Sequence, residues 1–283
     1  MLNLMQLLHV TRPRAPLQLL FFSLVLATVQ TAHAAPKYFA QADPDATRRV
    51  AVYLANQDCP GAMKALSEDV KARHRDVLLL AGTMYETGLC VKQNWEKAAG
   101  FYQLADAAGN LSATARLAAG YAVAGRENAV ALWWAAHRPG SLPAMCIPTA
   151  DPEKEGPAFD DALERMPAAQ YAACVYMVGV YSAIMAETEF PAEALKYDVF
   201  GEINMEFNPS EGEVTFTQEA PERSLGHGVR DGWNNQFEDR RAIESSLLKY
   251  MRETGRRTLA RYHKPQGISP NIRIKQKFSF SYK

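Results

Sequence analysis

The sequence predicts an α-helical repeat solenoid followed by a small α+β domain with a short antiparallel sheet. Three observations predict it. A helical motif ending in glycine recurs 37 residues apart, and each copy is followed by a second helix. Small and aromatic residues alternate at helical spacing through that region. Past residue 187 the apolar period falls from that of a helix to the period of two of a strand.

The chain opens with Arg12 and Arg14, an apolar run over 17–29, and then Ala32-His33-Ala34. This basic, apolar, small-residue order is that of a secretory signal peptide, so residues 1–34 are expected to be removed on export to the periplasm. The apolar run is about 13 residues, short of the roughly 20 that a membrane-spanning helix needs. The alternative is an uncleaved anchor, which would hold the chain at the inner membrane facing the periplasm. Residues 168–185 are the next most apolar stretch, but Gln170 and the alternation of large with small residues favour a packed core helix.

Lysines and arginines number 31, as do aspartates and glutamates, so the formal net charge is zero. That balance argues against bulk nucleic-acid binding, which needs a clustered positive field. Four cysteines, Cys59, Cys90, Cys146 and Cys174, follow the signal. An even number in an oxidising compartment favours two disulfides, and no C-x-x-C or metal-ligand spacing with His competes. The local pairs Cys59–Cys90 and Cys146–Cys174 suit the helix layout best, while the other two connectivities stay open.

In the first repeat copy, Leu80-Ala81-Gly82-Thr83-Met84-Tyr85 leads to Gly88; in the second, Leu117-Ala118-Ala119-Gly120-Tyr121 leads to Gly125. Glycine there is a natural helix stop. The partner helices carry Lys97-Ala98-Ala99-Gly100-Phe101-Tyr102 and Asn128-Ala129-Val130-Ala131-Leu132-Trp133-Trp134. Ala98, Tyr102, Ala105 and Ala108 share one face. Small residues let helices approach and aromatics fill the layers between them, which is how stacked helix pairs bury a core. A further pair over 47–55 and 61–73 caps the array. Cys59 and Cys90 then occupy similar turns one repeat apart. Residues 139–157, rich in Pro, Gly and charge, read as a linker, and 160–165 and 168–185 as further helices.

These residues resemble the SEL-type, tetratricopeptide-like repeat. The match is Leu80, Gly82, Met84, Tyr85, Gly88, Lys97-Ala98, Phe101-Tyr102, Ala107-Ala108 and Gly109, with the first glycine displaced by one position from the usual pattern.

From 187 onward, Phe190-Pro191 starts a short helix. Ile203, Met205 and Phe207 alternate along a strand, Pro209-Ser210-Glu211-Gly212 makes a turn, and Val214 and Phe216 continue into a second strand. A helix over 233–252 buries Phe237, Ile243, Leu247, Leu248 and Met251. A last strand over 272–282 turns Ile272, Ile274, Phe278, Phe280 and Tyr282 one way and Arg273, Lys275 and Lys277 the other. The order Phe190-Pro191-x-x-Ala194, Gly201-x-Ile203, Gly212-x-Val214 and a final Phe278-Ser279-Phe280 resembles the C-terminal domain of TonB-family proteins. The long Pro-rich spacer of the energy-transducing members is absent. The expected organisation is a signal over 1–34, SEL-type repeats over 35–138, a linker with additional helices over 139–186, and a TonB-like domain over 187–283.

Catalytic chemistry finds little support. No G-x-S-x-G, H-E-x-x-H or P-loop occurs. His74, His137, His227 and His263 are scattered, and Gly226-His227-Gly228 reads as a loop. Asp160-Asp161 sit at a helix N-terminus, where they favour the dipole. Trp133-Trp134 reads as one core residue and one that packs on the next helix. No cofactor or metal is expected.

Charge is unevenly spread at the C-terminal end. Residues 187–222 hold ten acidic residues against one lysine, and 240–283 hold twelve basic residues against two glutamates. Glu202 and Glu206 facing Arg273, Lys275 and Lys277 across a sheet would neutralise part of this. The expected function is that of an exported, non-enzymatic adaptor. Its helical repeats contact protein, and its last strand, through Arg273, Ile274, Lys275, Lys277 and Phe278, takes an envelope protein or peptide. The TonB resemblance implies a segment of an outer-membrane transporter. No small-molecule substrate is evident, and a membrane enters only if the signal is retained. Two alternatives remain: a membrane-anchored TonB-type energy transducer, and a secreted SEL-repeat hydrolase of β-lactamase type.

Overall fold

The computed structural model describes residues 44–188, 201–218 and 236–280. The signal segment, the expected helix beginning at Phe190-Pro191 and the Gly226-His227-Gly228 loop lie outside them. Among the described residues there are nine α-helices and one three-stranded sheet.

The first six helices are α1 (Pro44–Ala55), α2 (Cys59–Lys71), α3 (Arg75–Thr87), α4 (Trp95–Ala107), α5 (Leu111–Tyr121) and α6 (Asn128–His137), each packed on the next, α5 and α6 included. Their ends are written in the sequence. Asp58 accepts from the Gly61 amide at 2.9 Å and Asn94 from the Lys97 amide at 2.9 Å, satisfying donors that a helix start leaves open. Gly88 ends α3 in the left-handed conformation, φ 78°, where a side chain would be strained.

Aromatic residues of α4 lie over glycines on both neighbours. Tyr102 covers Gly82 of α3, and Trp95 covers Gly120 of α5. A methyl group at either glycine would collide with the ring, so the two glycines set how closely α4 is held. Tyr85 and Phe101 stack beside this layer at 5.6 Å, and Tyr121 meets Trp95 edge-on at 5.1 Å.

Residues 139–155 form an irregular connection with one short 3-10 turn, and then come α7 (Gly156–Glu164) and α8 (Ala168–Glu187). By length and composition α8 is long enough and apolar enough to cross a membrane, but 67% of it is buried inside the protein, as in a core helix. One side meets α5 and α6. Elsewhere Tyr176 meets Phe207 of the sheet edge-on at 5.8 Å, and Gly179 lies under Tyr262. A single apolar core therefore runs from Leu78 to Phe280, while α1, α2 and part of α3 build a second, smaller cluster around Val50, Leu66 and Met84.

The sheet consists of β1 (Gly201–Asn208), β2 (Glu213–Gln218) and β3 (Ile274–Phe280), in the order β2-β1-β3, both pairings antiparallel. Gly212, at φ 73°, closes the hairpin by donating its backbone N–H to the Asn208 carbonyl at 2.9 Å. Between β2 and β3 runs α9 (Gln236–Arg261), whose end lies well beyond the expected 252. The apolar face continues there: Leu247, Met251, Thr254 and Thr258 are fully buried. Gly255 sits inside the helix because a Cβ would lie 2.8 Å from the Phe216 ring of β2. Leu247 and Met251 are buried as expected and Leu248 half-buried, while the side chains of Phe237 and Ile243 lie outside the described residues.

Both expected disulfides are present, Cys59–Cys90 and Cys146–Cys174, and no described cysteine is free. The first ties the start of α2 to the turn after α3. The second ties the 3-10 turn to α8. Two disulfides indicate an oxidising, non-cytoplasmic location.

Candidate functional site

The sheet has a dry face and a wet face. Ile203, Met205 and Phe207 of β1, Phe216 of β2, and Ile274, Phe278 and Phe280 of β3 point into the core. The opposite face carries Glu202, Asn204 and Glu206 flanked by Thr215 and Thr217 on one side and Lys275, Lys277 and Ser279 on the other. Strand period two separates the faces, so each buried aromatic obliges its neighbours to be solvent-facing.

On the wet face the charges answer one another. Glu206 lies 3.5 Å from both Arg273 Nε and Lys275 Nζ, and Lys277 pairs with Glu202. Lys275 stands directly opposite Glu206 in the register. Each such exposed cross-strand pair contributes roughly 0.2–1 kcal/mol. Arg273 also gives Nη1 to the Asn208 side chain at 3.0 Å and to the Pro270 carbonyl at 2.6 Å, which shapes the entry to β3.

The five residues expected to meet a partner therefore divide. Ile274 and Phe278 are buried beneath the sheet, whereas Arg273, Lys275 and Lys277 are engaged with β1 glutamates. What β3 presents beyond β1 is an edge: among the described residues β1 is its only strand neighbour.

Gln276 is the polar break in the apolar stripe of β3. Tyr181 of α8 donates to its Oε1 at 2.8 Å, and Ser141 Oγ donates to the same atom at 3.3 Å. The Tyr181 hydroxyl in turn accepts the Ser141 amide at 3.2 Å. Strand β3 is thus held to the core helix and to the loop after α6 by a hydrogen-bonded trio as well as by packing.

Other residues singled out in the sequence have structural occupations. Trp134 is buried, and Trp133 meets it edge-on at 4.8 Å while donating its indole N–H to the Pro152 carbonyl at 3.3 Å. His137 lies against Trp133 and reaches Glu153 at 3.3 Å. Among the described residues no three His, Cys, Asp or Glu side chains converge as a metal site.

The chain matches no family model, no curated protein and no solved structure.

One constellation went unread in the sequence. Arg116 from the middle of α5 and Arg126 from beyond its end meet Arg257 and Arg261 of α9 around one cleft. The i, i+4 spacing of Arg257 and Arg261 was the available signal for two of them, since it puts both on one helical face. Nothing local connects that pair to the other two.

Proposed function

We propose that the chain is an exported, non-enzymatic binding protein of the bacterial envelope, in which β3 receives an extended peptide segment of an envelope partner as an added strand. The observation that carries this reading is the strand order, β2-β1-β3, which puts β3 at an edge. Strand addition binds mainly through the backbone, with side-chain pockets supplying specificity. The engagement of Arg273, Lys275 and Lys277 by Glu202 and Glu206 fits this mode, since it leaves recognition to the main chain. The resemblance to the TonB C-terminal domain supports the same strand and points to a segment of an outer-membrane transporter. The helix pairs with aromatics laid over glycines support the reading of residues 35–138 as SEL-type repeats that contact protein.

The test is photo-crosslinking in the envelope from Ser279, which is exposed on β3, with exposed Thr217 of β2 as the comparison position. Adducts to an extended segment of an envelope protein are expected from Ser279 and not from Thr217. Lys275→Pro should abolish them while both disulfides and the helical circular dichroism are retained. Undiminished capture by Lys275→Pro would sink the reading.

A further inference from the structure

A polar cleft of about 650 Å3 opens between α3, the end of α5 and α9. Four guanidinium groups line it, from Arg116, Arg126, Arg257 and Arg261, against two carboxylates, Glu86 and Glu187. The carboxylates are already occupied. Glu86 accepts the Tyr102 hydroxyl at 2.6 Å and lies 3.7 Å from Arg116 Nη1. Glu187 holds Arg261 at 2.7 Å.

Two guanidinium groups make no direct ion pair with a carboxylate among the described residues, although Glu86 and Glu96 attract Arg126 from farther off. Arg126 gives Nη1 to the Gly120 carbonyl at 2.7 Å and lies over the Trp95 ring at 4.2 Å. Arg257 gives Nη2 to Thr254 Oγ1 at 3.1 Å. In addition, Arg116 is 12% exposed, and its Nε is buried with no acceptor. A buried charged donor left unpaired is costly. The cleft thus holds an excess of two positive charges and an unsatisfied donor, drawn from segments more than 100 residues apart. Burial depresses the Arg126 guanidinium, yet arginine remains charged in proteins.

Guanidinium forks match the oxygen geometry of carboxylates and phosphates, and several of them around one space select for a multiply charged anion. The volume lies within the range of roughly 300–1,000 Å3 that suits a small organic ligand and exceeds what an inorganic ion fills. We propose that this cleft is a binding site for a small organic molecule bearing a doubly charged anionic group, a phosphate monoester or a dicarboxylate. Arg126 and Arg257 supply the two charges that no direct ion pair answers, with Arg116 beside them in the lining. The site is separate from the β3 edge and does not depend on it.

Titration calorimetry on the full oxidised protein tests this with glycerol 3-phosphate and succinate as dianions, and with acetate and glycerol as the singly charged and neutral controls. At least one dianion should bind saturably, roughly tenfold or more tighter than acetate, with affinity falling as salt rises. A preference for glycerol 3-phosphate assigns the group as phosphate, and a preference for succinate assigns it as dicarboxylate. Arg257→Gln should weaken binding by roughly tenfold while the melting temperature stays near that of the parent. Arg126→Lys, which keeps the charge and loses the fork, should weaken it as well, and Lys275→Gln on the sheet should leave it unchanged. Absence of saturable binding by either dianion overturns the proposal, as does equal binding by the parent, Arg257→Gln and Arg126→Lys.

Discussion

The hydroxyl of Tyr262, just past the end of α9, donates to the carbonyl of Ala119 near the end of α5, at 2.9 Å and buried from water. Helix ends leave their last carbonyls without helical donors. Val123, which would serve Ala119 in a continuing helix, bonds Gly120 at 3.3 Å instead. A side chain from the C-terminal region thus completes the end of a helix in the N-terminal one.

Tyr262→Phe should therefore lower stability by about 1–3 kcal/mol, the cost of leaving a buried acceptor unmade, as read from the urea midpoint. The same residue predicts an alkaline limit. Burial, only partly opposed by Arg261, pushes the Tyr262 phenol from its ordinary 10.0 up to about 12. The fold holds the neutral form, so this contribution is complete below about pH 10 and is lost as pH rises from there to about 12. Burial and then Glu86 push Tyr102 up as well. Chemical unfolding followed across that window should show stability falling with pH, and Tyr262→Phe should show a shallower fall.

Gly82→Ala and Gly120→Ala should each destabilise by about 1–3 kcal/mol or more, because the added methyl meets the Tyr102 or the Trp95 ring and must displace it. Gly100→Ala on the same helical layer is the control: no atom lies within 4 Å of its added Cβ, and the helix gains propensity. Thermal melts of the three variants check the order, with Gly100→Ala at or above the parent.

Replacing either cysteine pair by serine should cost about 2–4 kcal/mol, since the closed loops are of similar length, with sequence separations of 31 and 28. The regional readout should differ. Loss of Cys59–Cys90 should raise hydrogen exchange in α1 and α2, which belong to the smaller apolar cluster, and loss of Cys146–Cys174 should raise it around the 3-10 turn and α8.

Much of this architecture could be read from local chemistry. The hairpin of β1 and β2 followed from the alternation Ile203, Met205, Phe207 and a glycine turn. The cysteine pairing was the one the helix layout favoured, with Cys59 and Cys90 in successive turns, while the sequence left two other connectivities open. The repeat register was harder. Aligned on Leu80 and Leu117, Gly82 falls opposite Ala119, and Gly120 looks displaced. In space both glycines do the same work, because each lies beneath a different aromatic of α4. The end of α9 was misjudged because the pressure to continue comes from packing: Thr254 and Thr258 look polar in the sequence but are fully buried. Gln276 shares the parity of Ile274 and Phe278, and its polarity was the sign of the Tyr181 hydroxyl waiting on α8. Of the arginine cleft only the Arg257 and Arg261 pair left a local signal, since its four members converge only once α9 packs on α8 and β2.

The central position of α8 has a thermodynamic consequence. One flank belongs to α5 and α6, and the other meets Phe207 and Tyr262. Cutting the chain after α8 would turn that second flank to water, so the helical and sheet portions melt together in one cooperative transition. Anything that grips one portion then steadies the other by mass action. A ligand seated among the arginines would raise the melting temperature of a sheet it never touches.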